Sequence, residues 1–138
     1  MTRPRYLLDT NICIYLRKRR PPAVVEKFGA LAPGEAAISV IIYGELLYGA
    51  HKSATPARAL RVLDEFVALV PVLPLPAEAG AAYGEIRAVL KQQGRVIDNS
   101  DLWIAAHALA SGLVLITNNM REFGRVPGLA AENWVDSA

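Results

Sequence analysis

Short apolar segments that alternate with longer stretches of helical character are the feature that most constrains this fold. Residues 6–8, 36–40 and 113–116 are almost wholly apolar, as is typical of strands buried on both faces. The stretches between them show the three-to-four-residue hydrophobic spacing of helices. This alternation predicts an α/β fold with a short, mostly parallel central sheet and helices on both of its faces.

The same patterns give approximate bounds for the remaining elements. Residues 70–76 contain Pro71, Pro74 and Pro76, and proline cannot donate to a sheet ladder, so this segment is either an edge strand or merely extended. A last short strand is predicted over 132–135. Helices are predicted over residues 12–17, 23–31, 42–51, 57–69, 77–93 and 100–111, with a helical turn at 121–123.

Length and composition exclude several classes of protein. A chain of 138 residues with 53% hydrophobic residues is expected to fold as a single domain over residues 1–138 and not to be disordered. No apolar run approaches the roughly 20 residues that span a bilayer, and residues 6–8 are too short for a signal peptide. Cys13 is the only cysteine, so no internal disulfide can form. A cytoplasmic location is expected.

A dense basic run, Arg17-Lys18-Arg19-Arg20, precedes Pro21-Pro22, although the net charge of the chain is only +2. Such a run could neutralise the phosphates of a nucleic acid. It could equally be a solvated helix end, where the helix dipole favours positive charge. The sequence leaves both interpretations open.

Polar side chains follow the predicted strands at the places where each strand ends. Asp9 follows the first strand directly, and residues 117–119 follow the strand over 113–116. Glu45 lies about one turn into the helix after the second strand. Asp101 begins a later helix and reaches this edge if residues 94–99 return the chain to it. Ligands of open parallel sheets bind beyond the carboxyl ends of the strands, so we expect these side chains to meet there.

Carboxylates that cluster repel one another unless a cation lies between them. Oxygen ligands without nearby histidine or cysteine favour Mg²⁺ or Mn²⁺ over Zn²⁺, and such ions support phosphodiester cleavage. Each acid also has a purely structural interpretation. Asp9 could cap a helix, Asp101 could favour a helix dipole, Asp98 could be a cap, and Glu45 could be solvated. The prediction therefore depends on the acids as a set.

Four motifs in order give the chain a family resemblance that runs nearly from end to end. It resembles the PIN-domain ribonucleases of the VapC toxin type, which belong to type II toxin–antitoxin systems. The motifs are LDTNICIY at 8–15, ELLYG at 45–49, IDNSDLWIAAHA at 97–108 and LITNNMREF at 115–123, and residues 125–134 agree as well.

The resemblance implies that Asp9, Glu45 and Asp101 are the catalytic, metal-binding carboxylates. Asp101 holds the matching position because it directly precedes the Leu-Trp-Ile-Ala-Ala run. Asp98 stands where relatives often have glycine, so only an auxiliary role is expected for it. The implied metal is Mg²⁺, with Mn²⁺ as a possible substitute, and no other cofactor is expected.

The resemblance also assigns auxiliary roles to polar neighbours of these acids. We expect Thr10, Asn11 and Thr117 to orient the carboxylates through hydrogen bonds. Asn119 stands where many PIN domains have an aspartate. An amide adds no negative charge, so binding of a second metal ion is left open.

Similar proteins are toxins that cleave structured RNA (tRNA or ribosomal RNA) and so inhibit translation. The resemblance therefore implies an endoribonuclease, a VapB-like antitoxin that restrains it, and a homodimer that does not contact membranes. The antitoxin groove would include exposed members of a set on the helix around Glu45, while the others pack in the core. That set is Tyr43, Leu46, Leu47 and Tyr48.

Two rival functions are considered beside the nuclease. A phosphoryl-transfer domain, either a receiver or a dehalogenase-like phosphatase, also places an aspartate after a strand. The phosphatase pattern requires a second aspartate at the position of Asn11. A receiver domain requires a lysine after a late strand, and residues 117–119 contain no lysine. A non-catalytic binding module is disfavoured because all three acids are retained. His107 is expected to have a surface or satisfied-core role and not a catalytic one. Trp103 could stack on a base, but burial is expected.

Overall fold

The computed structural model describes residues 3–135, which form five strands and seven helices. Strands and helices alternate along the chain as the sequence predicts. In chain order they are β1 Tyr6–Leu8, α1 Thr10–Lys18, α2 Pro22–Gly29, β2 Ala36–Ser39, α3 Val40–His51, α4 Pro56–Leu69, β3 Val72–Leu73, α5 Glu78–Gln92, α6 Asn99–Ser111, β4 Val114–Ile116, α7 Met120–Phe123 and β5 Ala131–Glu132.

All strand pairs of the sheet are parallel, in the order β3-β2-β1-β4-β5. From β1 the chain moves outward through β2 to β3, and it then returns past β1 to β4 and β5. Since crossover connections between parallel strands are right-handed, the two directions place their helices on opposite faces of the sheet. The predicted α/β fold with a parallel sheet is confirmed.

Most element bounds agree with the sequence analysis, and the differences have local causes. Helix α1 begins at Thr10 and not at residue 12, because the Asp9 side chain caps it by accepting a hydrogen bond from Thr10 N. The proline-rich segment contributes β3, which is an edge strand, because the prolines leave only two consecutive residues free to pair. The last strand pairs with β4 at Ala131 and Glu132, slightly earlier than predicted.

The core lies on both sides of the two central strands. Leu7 and Leu8 of β1 and Leu115 and Ile116 of β4 have no exposed surface, which explains why these segments are apolar throughout. Helix α6 covers one face with a buried run from Ile104 to Ala108, in which His107 is the one polar residue. Among residues 3–135, no helix is both long enough and apolar enough to cross a bilayer.

Candidate functional site

The order of the strands reverses at the boundary between β1 and β4. Asp9 follows β1 and Thr117 follows β4, so both side chains lie at the carboxyl edge of the sheet where ligands of such folds bind. Asp9 N donates to the Ile116 carbonyl oxygen at 2.9 Å. The Thr117 hydroxyl donates to Asp9 Oδ2 at 2.8 Å. These bonds fix the first predicted site residue between the two central strands.

Asp9 is a buried carboxyl group, with 8% of its surface exposed. Burial raises its pKa, while the hydrogen bonds from Thr117 and from the Thr10 backbone act in the opposite direction. Asp9 therefore does cap α1, which was the structural alternative to a metal-binding role, but only one of its oxygens forms the cap. Its other oxygen is held by Thr117.

Asp101, in the first turn of α6, reaches the same edge. The helix precedes a parallel strand and runs against it, so its first turn lies at the carboxyl edge of the sheet. The pKa of Asp101 is raised to about 7, first by burial, then by a hydrogen bond with Glu122, and then by the charges of Asp9, Glu122 and Asp98. Burial and the neighbouring carboxylates therefore disfavour the ionised form of Asp101. The structure brings Asp101 and Asp9 together, as the sequence predicts.

Glu122, in the short helix α7, is a site residue that the sequence analysis missed. Its carboxyl group lies close enough to Asp101 to raise the pKa of that residue. The side chain of Asn119 contacts it twice, since Nδ2 donates to Glu122 Oε2 at 3.3 Å and Oδ1 accepts from Glu122 N at 3.4 Å. An acid three residues after the fourth-motif asparagine was the available signal. Asn119 thus positions Glu122 and caps α7, and its amide is engaged by these contacts.

Glu45 approaches the site from α3 and is bound through Thr10. The Thr10 hydroxyl donates to Glu45 Oε2 at 2.9 Å, and Thr10 is the residue directly after Asp9. Glu45 is exposed and is absent from the charges that shift the pKa of Asp9 or Asp101. The third predicted acid therefore borders the site, one side chain further out than the other two.

The expected role of Asn11 is corrected by its contacts. Its Nδ2 donates to Asn118 Oδ1 at 3.5 Å, and none of its described hydrogen bonds reaches a carboxylate. Asn118 in turn donates to the Tyr15 hydroxyl at 3.1 Å. Successive residues of a helix point about 100° apart, so Asn11 turns toward the end of β4 while Thr10 turns toward α3. Thr10 and Thr117 do bind carboxylates, as expected.

The segment before Asp101 is held by a cap and by an aromatic stack. Asp98 is the N-cap of α6, since its side chain accepts from Ser100 N at 3.1 Å. Trp103 stacks on Tyr83 of α5, with ring centroids 3.9 Å apart. The Tyr83 hydroxyl bonds to Asn99 Oδ1. These contacts tie α5 to the first turn of α6, which carries Asp101.

The oxygen atoms at this edge suit a hard divalent cation, although they do not form a closed cage. Among residues 3–135, no group of three or more His, Cys, Asp or Glu side chains is arranged so that it could hold a metal ion. Carboxylates nevertheless crowd here enough to raise the pKa of Asp101. In the described part of the chain the one ion pair joins Arg5 and Glu35, so no cationic side chain neutralises them. Mg²⁺ fits such a set, because it takes few carboxylates and keeps several waters.

A cleft of about 680 Å³ opens beside Glu45 and is lined by Val40, Gly44 and Tyr48 among others. Tyr48 is 66% exposed, whereas Leu46 is 5% exposed. Of the four α3 residues considered for a groove, Tyr48 therefore lies on this open surface and Leu46 belongs to the core. Tyr43 and Leu47 are partly buried and pack against the core.

Comparison with known proteins finds relatives that match nearly the whole chain. The PIN domain family matches residues 6–129. The chain is 44% identical to Ribonuclease VapC2 of Haemophilus influenzae, over 95% of this chain and 98% of that one. It is 46% identical to the tRNA(fMet)-specific endonuclease VapC of Shigella flexneri, over 94% and 98% respectively.

Solved structures show the same fold. The VapBC-1 structure from nontypeable Haemophilus influenzae matches with a TM-score of 0.87 and 42% identity, over 94% of this chain and 97% of that one. VapBC2 from Rickettsia felis, bound to a DNA fragment from its promoter, matches with a TM-score of 0.86 and 40% identity, over 94% and 98%.

Proposed function

The chain belongs to the VapC ribonucleases of the PIN domain family, and from this premise we propose that it is a divalent-metal-dependent endoribonuclease that cleaves tRNA. It is the toxin of a toxin–antitoxin pair, restrained by a VapB-like antitoxin. Membership in this family removes the phosphoryl-transfer alternative. Two relatives, at 46% and 42% identity, are named as tRNA(fMet)-specific endonucleases, which favours tRNA over ribosomal RNA. An RNA substrate and an antitoxin partner favour the cytoplasm, and we propose a homodimer.

One observation supports the metal most directly: the carboxyl group of Asp101 meets the charges of Asp9 and Glu122 in a partly buried place without a cationic partner. We assign Asp9, Asp101 and Glu45 as the metal ligands, and Glu122 as a further oxygen beside them. A bound Mg²⁺ or Mn²⁺ would supply stabilisation of charge on phosphate oxygens and a lowered pKa for water. Thr117 and Thr10 hold the Asp9 and Glu45 carboxylates in place.

The direct test is cleavage of purified tRNA by the purified protein. We expect cleavage with Mg²⁺ or Mn²⁺ and none after chelation with EDTA. Asp9→Asn is expected to abolish cleavage with unchanged circular dichroism. Asp64→Asn, on the exposed surface of α4, is the matched control and is expected to keep full activity. Full cleavage by Asp9→Asn would show that the site is wrongly assigned, and metal-dependent cleavage of ribosomal RNA alone would overturn the tRNA assignment.

A further inference from the structure

We propose that the basic end of α1 binds the phosphate backbone of RNA beside the carboxylate site. This inference rests on the proposed ribonuclease function and assigns a substrate-binding surface to it. The basic end is defined as the last turn of α1 and the residues directly after it: Arg17, Lys18, Arg19 and Arg20.

The positive charges of the basic end have no acidic partner in the part of the chain that the structure describes. All of its side chains are exposed, and within residues 3–135 none of them forms an ion pair. The helix dipole favours Arg17 and Lys18, which lie in the last turn. It does not account for Arg20, which follows the C-cap residue Arg19. Adjacent cations without counter-charges repel one another, so a polyanion that contacts several of them at once is a favourable partner.

One face of α1 leads from the site to this cluster. Thr10, Ile14 and Arg17 are spaced by four and three residues and therefore share a face of the helix. All three line a cleft of about 290 Å³, together with Glu45. Arg17 thus shares a cleft with one of the proposed metal ligands.

A neighbouring face of α1 makes a second connection. Asn11 and Tyr15 both bond to Asn118 at the end of β4. Tyr15 also lines a cleft of about 320 Å³ with Lys18 and Arg20. An aromatic ring beside two free cations is a common arrangement for single-stranded RNA, because a base can stack while the phosphates are neutralised.

The length of α1 suits an RNA strand that extends from the site. Nine residues span about 14 Å. A stacked strand advances about 3.4 Å per nucleotide, so the basic end lies roughly four nucleotides from the carboxylates. Contacts at this distance position the backbone without entering the reaction.

The test measures binding apart from cleavage. A fluorescein-labelled unstructured RNA of about a dozen nucleotides is titrated with protein in EDTA at several salt concentrations, with fluorescence anisotropy as the readout. The variant Lys18→Gln/Arg20→Gln is compared with Arg61→Gln/Lys91→Gln, which removes the same charge from exposed positions on α4 and α5. Circular dichroism and melting temperature check that each variant is folded.

We expect the wild type and the α4/α5 control to bind alike. The basic-end variant should bind severalfold more weakly, with a salt slope reduced by about 1.4, which corresponds to two lost phosphate contacts. Arg20→Lys should retain most of the slope because it retains the charge. Equal slopes for the two double variants would overturn the inference. The absence of RNA binding by the wild type would also overturn it. The same holds if the basic-end variant binds RNA as the wild type does and loses binding only to poly-glutamate, tested as a second polyanion.

Failure of this inference is distinguishable from failure of the proposed function. A smaller salt slope in the basic-end variant, with a wild type that never cleaves RNA, would support the RNA-binding surface and contradict the ribonuclease activity. Metal-dependent cleavage by the wild type, with equal salt slopes for the two double variants, would support the ribonuclease activity and contradict the RNA-binding surface.

Discussion

The Thr117 hydroxyl donates to Asp9 Oδ2 at 2.8 Å, and Thr117 Oγ1 accepts from Asn119 N at 3.0 Å. A buried threonine after β4 therefore links the carboxylate after β1 to the backbone that begins α7. Through this threonine, the two central strands and the short helix that carries Glu122 share one hydrogen-bonded chain.

Replacing Thr117 by valine should lower cleavage by about 10–100-fold, the usual effect of removing a hydrogen bond to a metal ligand. Valine keeps the shape but removes the bond that opposes the burial-driven rise in the pKa of Asp9. Steady-state cleavage of tRNA at several Mn²⁺ concentrations measures the loss. Thr55→Val makes the same change at the start of α4, where the side chain makes no capping bond, and should leave activity intact. Equal activities for the two variants would contradict the role of Thr117.

Glu122→Gln should lower cleavage by at least about tenfold and lower the pKa of Asp101 from about 7 toward the ordinary 3.8. The substitution removes a negative charge that disfavours ionisation of Asp101. Carboxyl-carbon NMR titration of the metal-free protein measures the pKa. Glu85→Gln, on α5, is the control. An unchanged pKa of Asp101 would show that Glu122 does not contact it.

Asp101→Asn should reduce cleavage far more than Asp98→Asn. Asp101 meets Asp9 and Glu122 within the site, whereas Asp98 is exposed and caps α6. Loss of the cap is expected to cost about 1 kcal/mol of unfolding free energy, which a urea titration measures, with modest loss of activity. Similar losses of activity in the two variants would reverse this assignment.

His107 should make the protein less stable in acid. It has no exposed surface, and neither ring nitrogen has a hydrogen-bond partner within the described residues. Burial lowers its folded-state pKa below 6.5, so the unfolded chain binds more protons as the pH falls through that value. The free energy of unfolding of the protein therefore decreases as the pH falls.

His107→Leu should raise the free energy of unfolding by about 1 kcal/mol at neutral pH, because an unpaired buried polar group is removed. The difference should widen in acid. Urea unfolding at about pH 7.5 and about pH 5.5 measures both effects, with the exposed His51→Gln as the control. A His107→Leu protein with the same acid sensitivity as wild type would contradict this account.

Residues whose position follows from a strand end were predictable from the sequence. Asp9 and Thr117 follow apolar strands directly, so the rule for parallel sheets placed them at one edge. The predicted position of Asp101 depended on residues 94–99 returning the chain to this edge. The Tyr83–Trp103 stack and the Asp98 cap hold the start of α6 there.

Other features depended on local geometry that no pattern encodes. Glu122 lies in a helix of only four residues, which is too short for a periodic signal. In the fourth motif, the position at which relatives often have an acid is that of Asn119. Asn11 was assigned to a carboxylate, but the rotation of one residue around α1 turns it toward Asn118. His107 was expected to lie on the surface or in a satisfied core position. It is buried, and within residues 3–135 neither ring nitrogen has a hydrogen-bond partner, which no sequence pattern could show.

Binding of Mn²⁺, followed by isothermal titration calorimetry, tests the central claim most directly. The wild type and Asp64→Asn should bind the ion with release of protons near neutral pH, since burial and neighbouring carboxylates raise the pKa of Asp101 to about 7. Asp9→Asn and Asp101→Asn should each bind it at least about tenfold more weakly. Unchanged Mn²⁺ affinity in both of these variants would contradict a shared cation site at the end of β1 and β4.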